Sequence, residues 1–418
     1  MKPYYSEELA DVYHGDCIDV MRELPDGSVD AVVTDPPYGI RFMGESWDGA
    51  DIVKRQERGK ETSPMPAGVG GPNGGYRSLA AEAGRYNRSL KASLAFMDWS
   101  KEWASECYRL LKPGGHLLAF GSPRCYHQLG MGIELAGFEI RDTIAWLFAQ
   151  GFPKSLDVGK AVGKKEREAE RTWAGWGTAL KPAFEPCVVA RKPIAGSVAD
   201  NVLTHGTGAL NIDATRVAMS DADAAIIDGM GGFGKHKVEA AVYGEYGHTD
   251  SHAHPDGRWP TNVALDGAAA DALDQQSGEL SETKPHKFRR GATTGKGIGY
   301  GSGSTGGDAE ITYEDSGGAS RFFPVFRYEA KASSAERPKV GGVQHPTVKP
   351  LDLMRWLVRL IAPQGATILE PFAGSGTTIE ACIAEGMRCI AIEREEQYLP
   401  LILDRISKPI DVPLPIGI

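Results

Sequence analysis

Hydrophobic and polar residues follow a regular pattern in three parts of the chain and lose it in two others. The first regular part contains residues 28–34, an apolar run that predicts a buried strand. It ends at Pro36-Pro37, because neither a helix nor a β-ladder continues through two prolines. Residues 42–93 and 193–330 lack periodicity and are rich in glycine and in small or polar residues. The pattern therefore predicts an ordered domain with two long insertions.

The second regular part alternates between helices and strands. A helix is predicted over residues 95–111, and a Lys-Pro-Gly-Gly turn at 112–115 should end it. Strands are predicted over residues 116–120 and 186–190, with a further helix and strand within 126–149. Alternation of this kind is typical of a doubly wound α/β sheet.

The third regular part begins after Pro350. It predicts a helix, a strand over 366–370, a second helix to about residue 385 and a strand over 387–392. The first of these helices has one apolar face, formed by Leu353, Trp356, Leu357, Leu360 and Ile361. The fold class expected for the whole domain is therefore α/β, with a doubly wound and mostly parallel sheet.

Composition and charge mainly exclude certain classes of protein and of binding site. The 418 residues carry a formal net charge of -9, which argues against a protein that coats nucleic acid nonspecifically. The six cysteines include no Cys-x-x-Cys pair, so neither a structural zinc site nor a disulfide framework is expected. No stretch approaches the roughly 20 apolar residues of a membrane helix. The first residues lack the apolar core of a secretory signal, so we expect a cytoplasmic protein.

Positive charge is concentrated in two segments. Residues 151–192 carry nine Lys or Arg against five Asp or Glu, and residues 284–290 carry four Lys or Arg with no acid. Both segments are candidate surfaces for phosphate contacts, with an ordinary solvated face as the alternative. His and Asp residues also cluster between positions 248 and 254. No metal site is expected there, because no regular structure flanks the cluster.

A glycine turn marks the candidate cofactor site. Gly374 and Gly376 lie between a predicted strand and a predicted helix, and Thr377 can open that helix. Glu393 ends the next strand some 20 residues later, where nucleoside-binding folds place the acid that accepts from ribose hydroxyls. No Walker lysine follows the glycines, so the turn predicts a nucleoside site rather than a phosphate site.

The candidate reactive site is Asp35-Pro36-Pro37-Tyr38, at the carboxyl end of a predicted strand. An exocyclic amine of a base is a poor nucleophile until acceptors localise its lone pair. The Asp35 carboxylate and the Pro36 carbonyl can supply two acceptors, and Tyr38 can stack on a base extruded from the duplex. The chemistry indicated is direct in-line transfer of a methyl group, although an ordinary turn would also accommodate this tetrapeptide.

Four blocks of the sequence jointly resemble the amino-group DNA methyltransferases. Their order is that of the β class, in which the catalytic motif precedes the cofactor motif. The resemblance implies a Rossmann-like sheet of the S-adenosylmethionine-dependent type with an inserted target-recognition region. The blocks are His14-Gly15-Asp16-Cys17, Asp35-Pro36-Pro37-Tyr38, His345-Pro346-Thr347-Val348-Lys349-Pro350 and Phe372-Ala373-Gly374-Ser375-Gly376-Thr377.

The resemblance also implies roles for individual residues. With S-adenosylmethionine as the methyl donor, Asp16 would contact its adenine, Glu393 its ribose, and Thr347 and Lys349 would lie near its methionine moiety. The strand before Asp35 would lie beside the strand before Phe372. The implied cofactor-binding set is Asp16, Cys17, Thr347, Lys349, Phe372, Gly374, Ser375, Gly376, Thr377 and Glu393, and the catalytic set is Asp35, Pro36, Pro37 and Tyr38.

The same resemblance implies a division of the chain into three parts. Residues 1–192 would be the catalytic half, with a mobile insertion at 42–93. Residues 193–330 would recognise the target sequence, and residues 331–418 would be the cofactor-binding half. Double-stranded DNA is the expected partner, and the sequence leaves open a homodimer and a restriction nuclease encoded outside this chain.

The first residue of the catalytic motif bears on the target base. In the family, Asp at this position is more typical of adenine-N6 enzymes and Ser of cytosine-N4 enzymes, so Asp35 favours adenine, with N4 of cytosine as the alternative. RNA and protein-glutamine methyltransferases usually begin the motif with Asn and place the glycine turn first. An inactive DNA-binding module is disfavoured by the intact Asp35 and Tyr38.

Overall fold

A computed structural model describes most of the chain. The described residues are 1–38, 90–149, 151, 153, 155–229, 252–278, 286–289, 308–311, 317–326 and 337–409. Most of the predicted insertion at 42–93 lies outside them. The chain divides into two compact units: the first comprises Met1–Ala214, Asn262–Ala268 and Phe326–Ile418, and the second Thr215–Thr261 and Ala269–Val325. Of the predicted recognition region 193–330, residues 193–214, residues 262–268 and the stretch from Phe326 thus group with the first unit.

Most of the described strands belong to one mixed sheet. In chain order the strands are β1 (Tyr5–Glu7), β2 (Ala10–His14), β3 (Val29–Thr34), β4 (Leu111–Phe120), β5 (Glu139–Leu147), β6 (Phe184–Arg191), β7 (Val263–Asp266), β8 (His286–Arg289), β9 (Asp308–Ile311), β10 (Val325–Phe326), β11 (Lys339–Val340), β12 (Val343–Gln344), β13 (Thr367–Glu370) and β14 (Arg388–Glu393). Ten of them form the sheet, in the order β1-β2-β14-β13-β3-β4-β6-β5-β7-β10. The expected α/β class is confirmed.

The centre of this sheet is parallel. β2, β14, β13, β3 and β4 all run in one direction, and β6 is antiparallel to both β4 and β5. β13 pairs with β3 through Ile368 opposite Ala31 and Leu369 opposite Val32. The predicted neighbourhood of the strands before Asp35 and Phe372 is therefore confirmed.

Helices cover both faces of the sheet, as in a doubly wound fold. The helices are α1 (Cys17–Glu23), α2 (Leu90–Leu110), α3 (Tyr126–Leu135), α4 (Val158–Gly163), α5 (Val198–His205), α6 (Asp221–Gly229), α7 (Gly267–Ser277), α8 (Leu351–Ile361), α9 (Thr377–Ala384) and α10 (Leu399–Ile406). One apolar core packs against α8, α9 and α10, and the other against α1, α2 and α3. The apolar face predicted for α8 is buried throughout.

Two elements differ from the expectation for physical reasons. The predicted turn at 112–115 lies inside β4: the ladder pairs Val29 with Leu111 and resumes with Ala31 opposite His116, so the turn forms a bulge. The sequence pattern does not predict β2, because Asp11 interrupts its apolar run. Asp11 is nevertheless buried. Its carboxylate accepts a hydrogen bond from Ser6 Oγ at 2.6 Å and forms an ion pair with Arg388.

The second unit has its own polar core. Asp223 on α6 is 4% exposed and lies 2.9 Å from Arg258 and 3.6 Å from Arg321, and the guanidinium groups of both arginines lie over the Phe322 ring. Strands β8 and β9 pair in antiparallel fashion. Among the described residues of the whole chain, no helix has the length and apolarity to span a bilayer.

Candidate functional site

Five strands of the first unit end at the same edge of the sheet. Because β2, β14, β13, β3 and β4 are parallel neighbours, the residues that follow them lie side by side. This edge therefore brings together the blocks that begin at His14, Asp35 and Phe372 and the acid Glu393. Open α/β sheets place their ligands at such an edge.

The glycine turn after β13 has the geometry that its sequence predicts. Gly374 and Gly376 have φ angles of 53° and 82°, in the left-handed region that favours glycine. Gly376 N–H donates to the Ala373 carbonyl at 2.8 Å, and Thr377 is the first residue of α9. A Cβ atom on Gly374 would lie 3.3 Å from the imidazole of His345, so the turn has little room for a side chain.

Glu393 closes this turn from the end of β14. Its Oε2 accepts from Gly374 N–H at 2.7 Å and its Oε1 from Glu395 N–H at 2.7 Å. Burial raises the pKa of this carboxyl to about 7, although both hydrogen bonds act in the opposite direction. Its backbone carbonyl accepts from Gly15 N–H at 3.0 Å, which ties the end of β14 to the block that follows β2.

The predicted cofactor residues at the start of the chain lie at the neighbouring strand end. Asp16 is the N-cap of α1 and accepts from Ile18 N–H at 3.0 Å. The Cys17 side chain is buried in the apolar core. Phe372, after β13, packs against Trp99 and Trp103 of α2, with ring centroids 5.7 Å and 5.5 Å away. Aromatic rings thus form one wall beside the glycine turn.

Glu370 is a functional candidate that the sequence does not single out. It is 2% exposed at the end of β13 and accepts from Thr34 Oγ1 at 2.5 Å, from Phe372 N–H at 3.0 Å and from Thr378 Oγ1 at 2.6 Å. Burial raises its pKa to about 8. Because its partners belong to β3 and α9, this carboxyl fixes the catalytic strand end against the glycine turn.

The candidate catalytic tetrapeptide, Asp35–Tyr38, is held by a buried lysine. Tyr38 Oη donates to Asp35 Oδ1 at 2.8 Å, and the Lys349 ammonium donates to Asp35 Oδ2 and lies 3.3 Å from Tyr38 Oη. Burial and the neighbouring Asp35 carboxylate raise the pKa of the Tyr38 hydroxyl well above its usual value. Pro36 is buried, and Cys125 Sγ lies 3.3 Å from the Tyr38 carbonyl. Asp35, Lys349 and Tyr38 therefore form one connected cluster.

Glu185 is a second acid beside this lysine, and sequence reasoning did not find it. It is the second residue of β6, and its Oε2 lies 3.3 Å from Lys349 Nζ. Burial lowers the pKa of Lys349, but the charges of Asp35 and Glu185 outweigh burial and leave it raised. Lys349 is therefore a cation at neutral pH. The signal available in the sequence was an acid at the start of an apolar strand.

The His345–Pro350 block lies between the two parts of the site. The His345 ring packs against Tyr398 with centroids 4.6 Å apart, and its Nδ1 is hydrogen-bonded to the Thr347 carbonyl. Burial lowers the pKa of this imidazole, so it is neutral at neutral pH. The predicted contact of Thr347 with the cofactor stays a prediction, while Lys349 lies at the catalytic tetrapeptide.

Some sequence candidates fall outside the described residues. Only 286–289 of the basic segment 284–290 is described, as a strand without side-chain detail, and the positions 248 and 250 are not described. In the basic segment 151–192, Trp173 and Trp176 are exposed, with ring centroids 5.2 Å apart. This segment connects β5 to β6, so it leaves and re-enters the sheet at the edge that carries the catalytic tetrapeptide.

The chain is similar to known DNA methyltransferases. A family model described as DNA methylase, of N6/N4 type, matches residues 29–404. The chain is 22% identical over 406 residues to the type II methyltransferase M.HindIII of Haemophilus influenzae, and the alignment covers 95% of this chain and 94% of that protein. Among solved structures, TTHA0409 of Thermus thermophilus complexed with S-adenosyl-L-methionine is 15% identical, with a TM-score of 0.40 over 95% of this chain and 94% of the other. The cytosine-N4-specific PvuII DNA methyltransferase is 10% identical, with a TM-score of 0.43 over 97% and 88%.

Proposed function

The chain belongs to the DNA methylase family of N6/N4 methyltransferases, and from that premise we propose that it methylates the N6 amine of adenine in double-stranded DNA. The observation that supports this most is the pairing of β3 with β13. That pairing sets Asp35 beside the glycine turn at Gly374 and Gly376, so an acceptor for an amine and a nucleoside-binding turn share one edge of the sheet.

S-adenosylmethionine is the methyl donor of this family, and the residues of the glycine turn fit it. The Glu393 carboxylate is the hydrogen-bond acceptor at the end of β14. Each of its oxygens has a lone pair left for a ribose hydroxyl. His345 lies so close to Gly374 that this position of the turn has little room for a side chain. We propose that Glu393 and Asp16 hold the nucleoside, with Phe372 against its side. When bound, the cofactor supplies an electrophilic methyl group.

The catalytic tetrapeptide prepares the acceptor. The Asp35 carboxylate lies beside the Lys349 ammonium and can accept a hydrogen bond from the exocyclic amine, which localises the nitrogen lone pair. The amine becomes cationic as it gains the methyl carbon, and the carboxylate stabilises that charge and can accept the proton that leaves. The Pro36 carbonyl is the second acceptor. Tyr38 offers a ring face to a base taken out of the duplex.

Sequence recognition is proposed for residues 193–330, chiefly for the part that forms the second unit. That unit is compact and contains Asp223 bound by Arg258 and Arg321. DNA methylation needs both a base-specific contact and an extruded base. The exposed Trp173 and Trp176, on the basic segment beside the catalytic edge, are proposed to contact the DNA backbone or an unstacked base.

The target base is tested directly by the product. Unmethylated double-stranded DNA is incubated with the protein and methyl-labelled S-adenosylmethionine, then digested to nucleosides and analysed by mass spectrometry. N6-methyldeoxyadenosine is expected as the labelled product. N4-methyldeoxycytidine as the sole product would replace adenine by cytosine, and label in RNA or protein but in no DNA would overturn the proposed substrate. Sequencing of the modified DNA then gives the recognition site.

A further inference from the structure

The two oxygens of the Asp35 carboxylate are both engaged in the structure. Tyr38 Oη donates to Oδ1 at 2.8 Å, and the Lys349 ammonium donates to Oδ2. The proposed function requires the same carboxylate to accept from the amine of the target base. Each oxygen keeps a lone pair for a further donor. The Lys349 cation, however, draws on the same negative charge that the amine needs, so a weaker Lys349 contact leaves Asp35 the stronger acceptor.

Release of Lys349 from Asp35 would leave a charged ammonium in a poorly solvated place. The Lys349 side chain is 9% exposed, and Phe120 covers it, with the ring centroid 4.7 Å from Nζ. A buried ammonium needs an acceptor for its donors, because its charge is costly when it is unpaired. A second acceptor must be at hand if Asp35 is to turn to the substrate.

Glu185 is that acceptor. Its Oε2 is buried and already lies at ion-pair distance from the ammonium, 3.3 Å from Lys349 Nζ. Glu185 is fixed by its strand, since β6 pairs with β5 through Glu185 opposite Trp146. A carboxylate oxygen at this distance can take a larger share of the ammonium after a small rotation of the lysine side chain.

We propose that Glu185 is a positioning residue for the methyl transfer, which holds the Lys349 ammonium while Asp35 turns to the amine of the base. This inference rests on the proposed function. Lys349 then moves from a position shared by Asp35 and Glu185 before the base enters to one nearer Glu185 while the base is bound. The effect of Glu185 on the reaction is exerted through Lys349, without contact to the substrate.

The test compares Glu185→Gln with wild type in steady-state methylation of a DNA that the wild-type protein methylates. Glutamine keeps the shape but loses the charge, so Lys349 stays on Asp35. The value of kcat should fall by about tenfold to a hundredfold, with the KM for DNA and the affinity for S-adenosylmethionine unchanged. Glu134→Gln, an exposed acid on α3 of the same unit, is the matched control and should retain the wild-type kcat.

The pH profile separates positioning from a structural role. Loss of the Glu185 charge removes one of the two carboxylates that raise the pKa of Lys349. Lys349 of Glu185→Gln should therefore lose its proton at a lower pH than in wild type, and a neutral amine binds Asp35 weakly. The defect in kcat should shrink as the pH rises toward 10, whereas a damaged fold would show the same defect at every pH.

A double-mutant cycle keeps the proposal testable even if Glu185→Gln is unstable. In a Lys349→Met background there is no ammonium to hold, so adding Glu185→Gln should cause no further loss of kcat. Equal losses from Glu185→Gln with and without Lys349 would overturn the inference, as would a wild-type kcat in the single variant. If the wild-type protein methylates no DNA at all, the proposed function fails instead.

Discussion

The two ends of the site use carboxylates in opposite ways. At the proposed catalytic end, Asp35 is paired with a lysine. At the proposed cofactor end, Glu370 and Glu393 accept from backbone N–H groups and hydroxyls of the described residues, and burial raises their pKa values to about 8 and 7. In the proposed reaction, the acid beside the lysine serves the amine. Neutral donors allow a carboxyl to lose its charge within the physiological range.

Replacement of Asp35 should have the largest effect, because it removes the charge from the catalytic end. For Asp35→Ala we expect methyl transfer to fall about a thousandfold, while the Kd of S-adenosylmethionine, held by the other end, changes little. Label incorporation into DNA and calorimetric binding measure the two. Asp19→Ala, at an exposed position on α1, is the control. Equal loss of cofactor binding would mean that the two ends are not separable.

Glu370→Gln should alter the pH dependence of stability. Since burial raises the pKa of Glu370 from 4.5 to about 8, the folded state holds a proton that the unfolded state releases between these values. Wild-type unfolding free energy should therefore fall as pH rises through this range, by at most about 1.4 kcal/mol per pH unit from this group.

Glutamine cannot ionise, so the variant should become more stable relative to wild type as the pH rises from 5 to 8. Urea unfolding at several pH values measures the difference. Glu134→Gln should follow the wild-type curve. Parallel curves for Glu370→Gln and wild type would show that Glu370 is ionised in the folded protein.

Glu393→Gln should weaken cofactor binding. A ribose hydroxyl donates more strongly to a carboxylate than to an amide, so we expect the Kd of S-adenosylmethionine to rise about tenfold at pH 8. Because the pKa of Glu393 is about 7, wild-type binding should strengthen as the pH rises from 6 to 8, and the variant should not show this change. Calorimetry at the two pH values tests it, with the exposed Glu396→Gln as control. A pH-independent wild-type Kd would contradict the assignment.

Thr378→Val should have the smallest effect. It removes one neutral donor, which lies 2.6 Å from Glu370 Oε2, and should lower the unfolding free energy by about 1 kcal/mol at pH 8. The loss should diminish at pH 5, where Glu370 is protonated and needs fewer donors. Thermal unfolding measures both, and Thr172→Val, at an exposed position, should match wild type.

The predictable part of the structure is the part in which local pattern and tertiary environment agree. The apolar residues of β3 and α8 are buried as expected. The motifs also identify the strand ends at Asp35 and Gly374, because turns at prolines and glycines are local properties. The pairing of β3 with β13 was predicted only from the family resemblance, because a local sequence pattern does not determine the order of strands in a sheet.

The rest depends on partners that are distant in sequence. β2 contains Asp11, which is compatible with a buried strand only because Ser6 and Arg388 satisfy it. Glu185 resembles any acid at a strand end until Lys349 is placed beside it. The raised pKa of Glu370 depends on its complete burial, which the amino-acid sequence alone does not reveal.

The contact between Thr34 and Glu370 joins residues 336 positions apart. During synthesis, β3 and β4 leave the ribosome long before β13 and β14, so one edge of β3 has no partner until β13 is made. An open strand edge is prone to association with other chains. The order of the strands thus leaves the newborn N-terminal half exposed to such association, and the site is complete only after β13 and β14 have been made.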